Sequence, residues 1–291
     1  MKLLFLLACM VLTGTSHAAV KGYNSTYSAD FSTYNLDANG YVSSGNLSSD
    51  QYIYYDYSAA AYVKTGTLVY FRKFSASSSI HESFLWKGKL SGNQSLPVYT
   101  GQPLVQFKDN TAIEFNSTKA VLGTLNVNTT MSYGYAGDDG PREVTLKAGT
   151  VVNITNTYGY STTGNVGSGT LYGAQTLFYG PWRTVGVAAN SPVTFSNRKL
   201  YTGIANGTQS VLYGPGRYVS LAGYSTMHFY YVGYLVNDWY ISKGTLAITQ
   251  TLETNTGTGT SAPFLYVVDG GYTPPPVLHF TSLYGGCVYT P

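Results

Sequence analysis

Val144-Thr145-Leu146-Lys147-Ala148-Gly149-Thr150-Val151-Val152-Asn153-Ile154-Thr155 alternates apolar and polar side chains around a lysine–glycine turn. Successive residues of a strand face opposite sides, so alternation of this kind marks β structure with one face buried. Within it, Lys147–Val152 reads as a polar turn, closed by glycine, that launches a strand. The same form stands at Lys64-Thr65-Gly66-Thr67-Leu68-Val69 and at Ser242-Lys243-Gly244-Thr245-Leu246-Ala247. A second pattern accompanies the first. Pro97–Gly101 leads to Ala112–Phe115, Leu177–Pro181 leads to Pro192–Phe195, and Leu212–Pro215 leads to Met227–Phe229. Paired matches in a constant order point to internal duplication.

Further alternating segments lie at Gln51–Tyr57, Thr67–Phe71, Thr111–Phe115, Val193–Phe195, Met227–Val232 and Thr245–Thr251, separated by Gly, Asn, Ser and Pro clusters. Helical periodicity is nearly absent. Short strands at even spacing predict an all-β chain of tandem antiparallel β-sandwich domains. Turn residues concentrate in 126–142, where Gly134, Gly137, Asp138, Asp139, Gly140 and Pro141 gather. The expected organisation is therefore a leader over 1–18, one sandwich over 19–130 and a second over 131–291, which ends in an incomplete further repeat.

The leader reading rests on Lys2, the apolar run Leu3–Leu12 and the small-x-small triplet Ser16-His17-Ala18. These are the parts of a secretory signal, and the apolar run is shorter than the ~20 residues a membrane helix takes. No later stretch is apolar enough to span a bilayer, and Tyr284–Pro291 is not a lipid-anchor tail. Asn-x-Ser/Thr triplets at Asn24, Asn46, Asn93, Asn116, Asn128, Asn153 and Asn206 fit an exported, glycosylated chain, extracellular or lysosomal. Of two cysteines, Cys9 falls within the leader, which leaves Cys287 as a half-buried thiol or an intermolecular disulfide link.

Only 10% of residues are charged and the net charge is +3, too few clustered cations for nucleic-acid binding. The 29 tyrosines and 33 glycines stand out: tyrosine suits a half-buried pleated surface and glycine suits turns. With 44% hydrophobic residues the chain has enough apolar material for a packed core.

Residues 40 to 118 resemble a CUB domain, and the texture is similar to the divergent CUB-like secreted proteins of nematodes. Gly40-Tyr41-Val42-Ser43-Ser44 stands for the opening Gly-x-aliphatic-x-Ser, Gly66–Phe74 for a strand ending in an aromatic, Phe84–Gly88 for the next strand, and Ala112–Ser117 for the closing one. Phe264–Gly270 is similar to the family's aliphatic-x-aliphatic-x-Asp-Gly strand. The resemblance implies a jelly-roll sandwich that binds extracellular glycans or proteins, with a setting in innate defence. The family's disulfide cysteines are missing. Its calcium site is not carried over, because the matching stretch offers Glu82 alone and has Lys87 where an aspartate would stand.

The sequence holds no G-x-S-x-G nucleophile elbow, H-E-x-x-H metal-binding helix or phosphate loop. His81, His228 and His279 have unrelated spacings, and Asp138-Asp139 is explained by its glycine-rich loop. The expectation is a non-enzyme without cofactor or metal, against a glycoside hydrolase using two of Asp109, Glu114, Asp138, Asp139, Asp238 and Asp269. A third reading is a Tyr- and Gly-rich matrix or coat component. For binding, Tyr179, Trp182 and Tyr213 are the candidate contacts, because Tyr179-Gly180-Pro181-Trp182 and Tyr213-Gly214-Pro215 place aromatics in loops. Trp86 and Trp239 fall inside expected strands and are expected to pack.

Overall fold

A computed structural model describes residue 23 and residues 27–73, 83–98, 104–116, 119–134, 142–156, 164–214, 216–232, 238–248, 250–253, 264–267, 277–280 and 287–290. Among these the chain is all β, in units of four strands. The first unit comprises β1 (Phe31–Leu36), β2 (Val42–Leu47), β3 (Gln51–Asp56) and β4 (Ala59–Val63). The second has β5 (Leu68–Lys73), β6 (Ser83–Lys89), β7 (Gln94–Leu96) and β8 (Val105–Phe107), and the third β9 (Ala112–Asn116), β10 (Lys119–Thr124), β11 (Thr129–Ser132) and β12 (Glu143–Leu146). The fourth has β13 (Val151–Asn156), β14 (Gly164–Thr170), β15 (Gln175–Gly180) and β16 (Arg183–Val187). The fifth follows with β17 (Pro192–Ser196), β18 (Lys199–Ile204), β19 (Gln209–Gly214) and β20 (Arg217–Leu221). The sixth holds β21 (Thr226–Val232), β22 (Asp238–Thr245), β23 (Gln250–Glu253) and β24 (Phe264–Val267), and a last pair is β25 (Val277–Phe280) with β26 (Cys287–Thr290).

In every unit the first two strands join one long antiparallel sheet, and the last two form a separate hairpin. The long sheet has 14 strands in the order β1-β2-β5-β6-β9-β10-β13-β14-β17-β18-β21-β22-β25-β26. Within it β10 pairs with β13, so the strands on either side of 126–142 are neighbours in one sheet. The hairpins lie over one face of this sheet, and the core is the contact between the two layers.

One sequence pattern makes that contact. The second strand of each unit leads into Gly-x-Leu (or Gly-x-Ala), whose last residue closes or directly follows the strand, and after three more residues comes glutamine or threonine: Gly45-Leu47-Gln51, Gly88-Leu90-Gln94, Gly123-Leu125-Thr129, Gly169-Leu171-Gln175, Gly203-Ala205-Gln209 and Gly244-Leu246-Gln250. The glycine receives the last residue of the preceding hairpin. A Cβ on Gly123 would lie 2.5 Å from the Phe107 ring, and one on Gly169 would lie 2.8 Å from Leu146. The hairpin's last residue also bridges, backbone to backbone, to the following Leu or Ala: Val63 to Leu90, Phe107 to Leu125, Leu146 to Leu171, Val187 to Ala205 and Leu221 to Leu246.

The glutamine then ties consecutive hairpins together, acting as a peptide group would. Gln175 Oε1 accepts from Thr145 N at 2.8 Å, while its Nε2 donates to Thr145 O at 2.6 Å and to Tyr172 O at 3.0 Å. Gln94 makes the same pair with Tyr62, Gln209 with Gly186 and Gln250 with Ser220. Gln51 clasps Asp30, so the segment before β1 stands where a preceding hairpin would end. In the third unit Thr129 replaces the glutamine, and Asn126 Nδ2 donates instead to Gln106 Oε1 at 2.9 Å.

A tyrosine near each of several hairpin tips stacks on a phenylalanine of the long sheet two units further on. Tyr55 stacks on Phe115, Tyr133 on Phe195 and Tyr179 on Phe229, with ring centroids 4.3, 4.4 and 4.6 Å apart. Tyr23 meets Phe71 in the same way at 4.4 Å. With Tyr240, these four are the described tyrosines buried in the core.

The phase of the repeat differs from the expected one. Gly66 and Gly149 sit in turns at φ +67 and +78, and the equivalent turns hold Asn110, Asn190 and Tyr224, also at positive φ. The backbone N–H of each donates to the Leu or Ala of the preceding Gly-x-Leu/Ala: Gly66 to Leu47, Asn110 to Leu90, Gly149 to Leu125, Asn190 to Leu171 and Tyr224 to Ala205. Ser242–Ala247 is no copy of those turns. Its Gly244 is a strand glycine under Leu221. The segments Val144–Thr155 and Thr245–Thr251 likewise each span a turn between two strands.

Candidate functional site

The hairpin tips and the turns at the hairpin bases lie on opposite edges of the layer, because antiparallel strands put their connections at alternate ends. At the tips the fourth and fifth units carry the same construction. Gly180 pairs with Arg183 across Pro181-Trp182, and Gly214 pairs with Arg217 across Pro215-Gly216. Gly216 has φ +66, the left-handed conformation that costs glycine nothing. Trp182 occupies the same slot at φ +56 and is 79% exposed. A side chain there costs about 1–2 kcal/mol, and a ring in solvent returns little of it.

Arg142, beside β12 of the third unit, and Arg183, at the tip of the fourth, are backed by aromatic rings. The Arg142 guanidinium lies 4.6 Å from the Phe178 ring centroid and donates to Arg198 O at 3.5 Å. The Arg183 guanidinium lies 5.8 Å from the centroid of Tyr240. The first ring contact joins neighbouring hairpins, because Phe178 lies on β15, and the second holds a tip against β22 of the long sheet.

The structure separates the three expected contact residues. Trp182 is the exposed one. Tyr179 is 4% exposed and stacked on Phe229, so its ring faces are occupied within the core. Tyr213 is half-buried and packs against the core from the neighbouring hairpin. Of the other tryptophans, Trp239 is buried, whereas Trp86 is exposed on the outer face of the long sheet.

One aromatic residue was missed from the sequence. Tyr224 is 79% exposed at φ +62, in a turn slot that other units fill with Gly66, Asn110, Gly149 and Asn190. Only the register of the repeat reveals it, since Gly223-Tyr224 by itself reads as any turn.

The sequon asparagines fall into two groups. Asn46, Asn116 and Asn153 lie on β2, β9 and β13 and point away from the hairpin layer; Asn116 and Asn153 are exposed, and Asn46 is half-buried. Asn93, Asn128 and Asn206 are exposed in the turns at the hairpin bases. Asn93 and Asn128 also cap the next turn, accepting from Asp109 N and Ala148 N at 2.8 Å each. Asn24 lies outside the described residues.

At the hairpin bases a shallow cleft of about 570 Å³ is lined by polar residues, among them Asn93, Asp109, Thr111 and Asn126. Its one carboxylate, Asp109, accepts from Gly92 N at 2.6 Å and so serves the turn; no second carboxylate lines the cleft. Elsewhere, Lys87–Glu114 at 2.7 Å and Lys73–Asp37 at 2.9 Å are ion pairs on the surface. Among the described residues no three of His, Cys, Asp and Glu come together as metal ligands. His228 lies 3.4 Å from Thr202 Oγ1. The loop with Asp138-Asp139, His81-Glu82 and Asp269 lies outside the described residues, as do the side chains of Asp238, His279 and Cys287. No helix among the described residues is long and apolar enough to cross a membrane.

The chain matches no family model, no curated protein and no solved structure.

Proposed function

We propose that the protein is a secreted glycoprotein that binds an extracellular ligand, a glycan in the first instance, through the tips of its hairpin layer, with Trp182 as the central contact. It works by binding and not by turnover. The observation that carries this reading is the conformation of Trp182, a large exposed aromatic held in a slot that the sister tip fills with glycine. Strain of that kind, where packing gives nothing back, is typical of residues kept for recognition.

The sequons fit the same picture. Glycans on Asn46, Asn116 and Asn153 would cover the outer face of the long sheet, and those on Asn93, Asn128 and Asn206 the hairpin bases. The tips would remain open. The CUB-like resemblance of residues 40 to 118 implies the same extracellular setting, host defence included. In this reading the two layers are a β-sandwich that arose by duplication.

The test is a glycan-array screen of the purified chain beside Trp182→Gly, with oligomeric state followed by light scattering. Saturable binding by a monomer, lost in the variant, supports the reading. A clean monomer that binds no glycan moves the proposal to a protein ligand. Large assemblies without binding would support the matrix reading instead.

A further inference from the structure

The repeat supplies an internal comparison for one row of side chains on the outward face of the hairpin layer. Register pairs Tyr52 with Tyr62, Ser95 with Gln106, Thr130 with Thr145, Thr176 with Gly186, Ser210 with Ser220, and Thr251 with Tyr266. The glutamine clamps align these pairs, since Tyr62, Thr145 and Gly186 are the residues held by the hairpin that follows each. Four of the six pairs are small, hydroxylic or amidic, as in Thr130–Thr145, whose hydroxyl oxygens lie 2.8 Å apart, and the sixth has a single tyrosine. The fold therefore needs no aromatic ring at this position. The first pair has two, with centroids 4.7 Å apart and planes tilted by 35°, and Tyr52 is 69% exposed. On the same face, Tyr54 carries Tyr27 stacked upon it at 4.2 Å.

We propose that Tyr52 and Tyr62 form a platform for a neutral polysaccharide, which stacks its sugar rings on the tyrosines and continues along the Ser95–Gln106 and Thr130–Thr145 pairs. The C–H face of a pyranose with equatorial substituents is flat and apolar, whereas its rim is hydroxylic. A ring face next to a hydroxyl and amide row matches both features. No residue of the row is charged; the carboxylates of this face, Asp56 and Glu143, sit at the tip ends of their hairpins. An acidic glycan would find no cation in the row, and an apolar peptide would leave the Ser, Thr and Gln groups without partners. The site is separate from Trp182 and stands or falls without it.

The experiment is retention of the full chain on insoluble β-linked glucan and on chitin, followed by calorimetric titration with soluble fragments of whichever polymer binds. Wild type is compared with Tyr52→Ser/Tyr62→Thr, each checked by thermal melting. Ser and Thr are residue types found at the equivalent slots, so the double variant is expected to fold. Wild type should bind with equal affinity at low and high salt, and the double variant about tenfold more weakly or worse. If the double variant melts early, Tyr52→Ser alone decides, because its ring stands mainly in solvent. No retention of the wild type on either polymer, undiminished binding by a folded tyrosine variant, or binding abolished by salt would overturn the proposal.

Discussion

At the scale of single residues, the cost of a conformation separates what the fold needs from what it carries. Trp182 lies at φ +56 and touches little. Trp182→Gly should leave stability unchanged or raise it by about 1 kcal/mol in urea denaturation, while ligand binding is lost. A large loss of stability would mean that the ring packs after all. Tyr55 is the opposite case: burial against Phe115 pushes its phenol up to about 12. An unfolded tyrosine ionises near pH 10, so its contribution is complete below that pH and is lost as pH rises towards 12. Alkaline unfolding should therefore be less steep for Tyr55→Phe between pH 10 and 12. Asp37 works at the acid end, where the hydrogen bond from Lys73 holds its carboxyl down to about 2. The stability it adds is present above the ordinary carboxylate range near pH 4 and fades as pH falls towards 2, a dependence that Asp37→Asn should remove.

At the scale of elements, strands and turns were legible because each has a local chemical signature. Alternation in Gln51–Tyr57 and Met227–Val232 gave β3 and β21 nearly to the residue. The phase of the repeat was not legible. Thr65-Gly66-Thr67-Leu68 and Lys243-Gly244-Thr245-Leu246 look alike in sequence, yet one glycine supplies a left-handed turn and the other a gap for Leu221. Glycine answers both demands, backbone freedom and absence of a Cβ, and local sequence does not say which one applies. The glutamine clamp was equally hidden, since its partner lies 30 residues earlier in the chain in the Gln175 and Gln250 cases. Gln175→Ala should cost about 1–3 kcal/mol, because it leaves the Thr145 peptide without its partners. Gly123→Ala should cost a similar amount by forcing the Phe107 ring aside, whereas Gly173→Ala, with open space around it, should be limited to left-handed strain.

At the scale of the whole molecule, each unit is joined chiefly to its neighbours: sheet strand to sheet strand, hairpin residue to the next Gly-x-Leu or Gly-x-Ala, and glutamine to the previous hairpin. Stability in such an array is roughly the sum of unit terms and interface terms, so it need not be lost all at once. Hydrogen exchange should show protection graded along the chain, and Gly123→Ala should lower it most in the second and third units; uniform loss everywhere would argue for a single cooperative block. The array also explains why the candidate site was only partly readable. Tyr179, Trp182 and Tyr213 share one sequence context, but alternation and stacking send Tyr179 into the core and leave Trp182 outside. Recognition in this account uses residues that break the repeat where the fold does not require it. The most direct test is a side-by-side glycan array of the wild type and Trp182→Gly, both shown to be folded monomers. Binding of at least one glycan by the wild type that vanishes in the variant is the expected result, and equal binding of every glycan by the two would contradict a contact at Trp182.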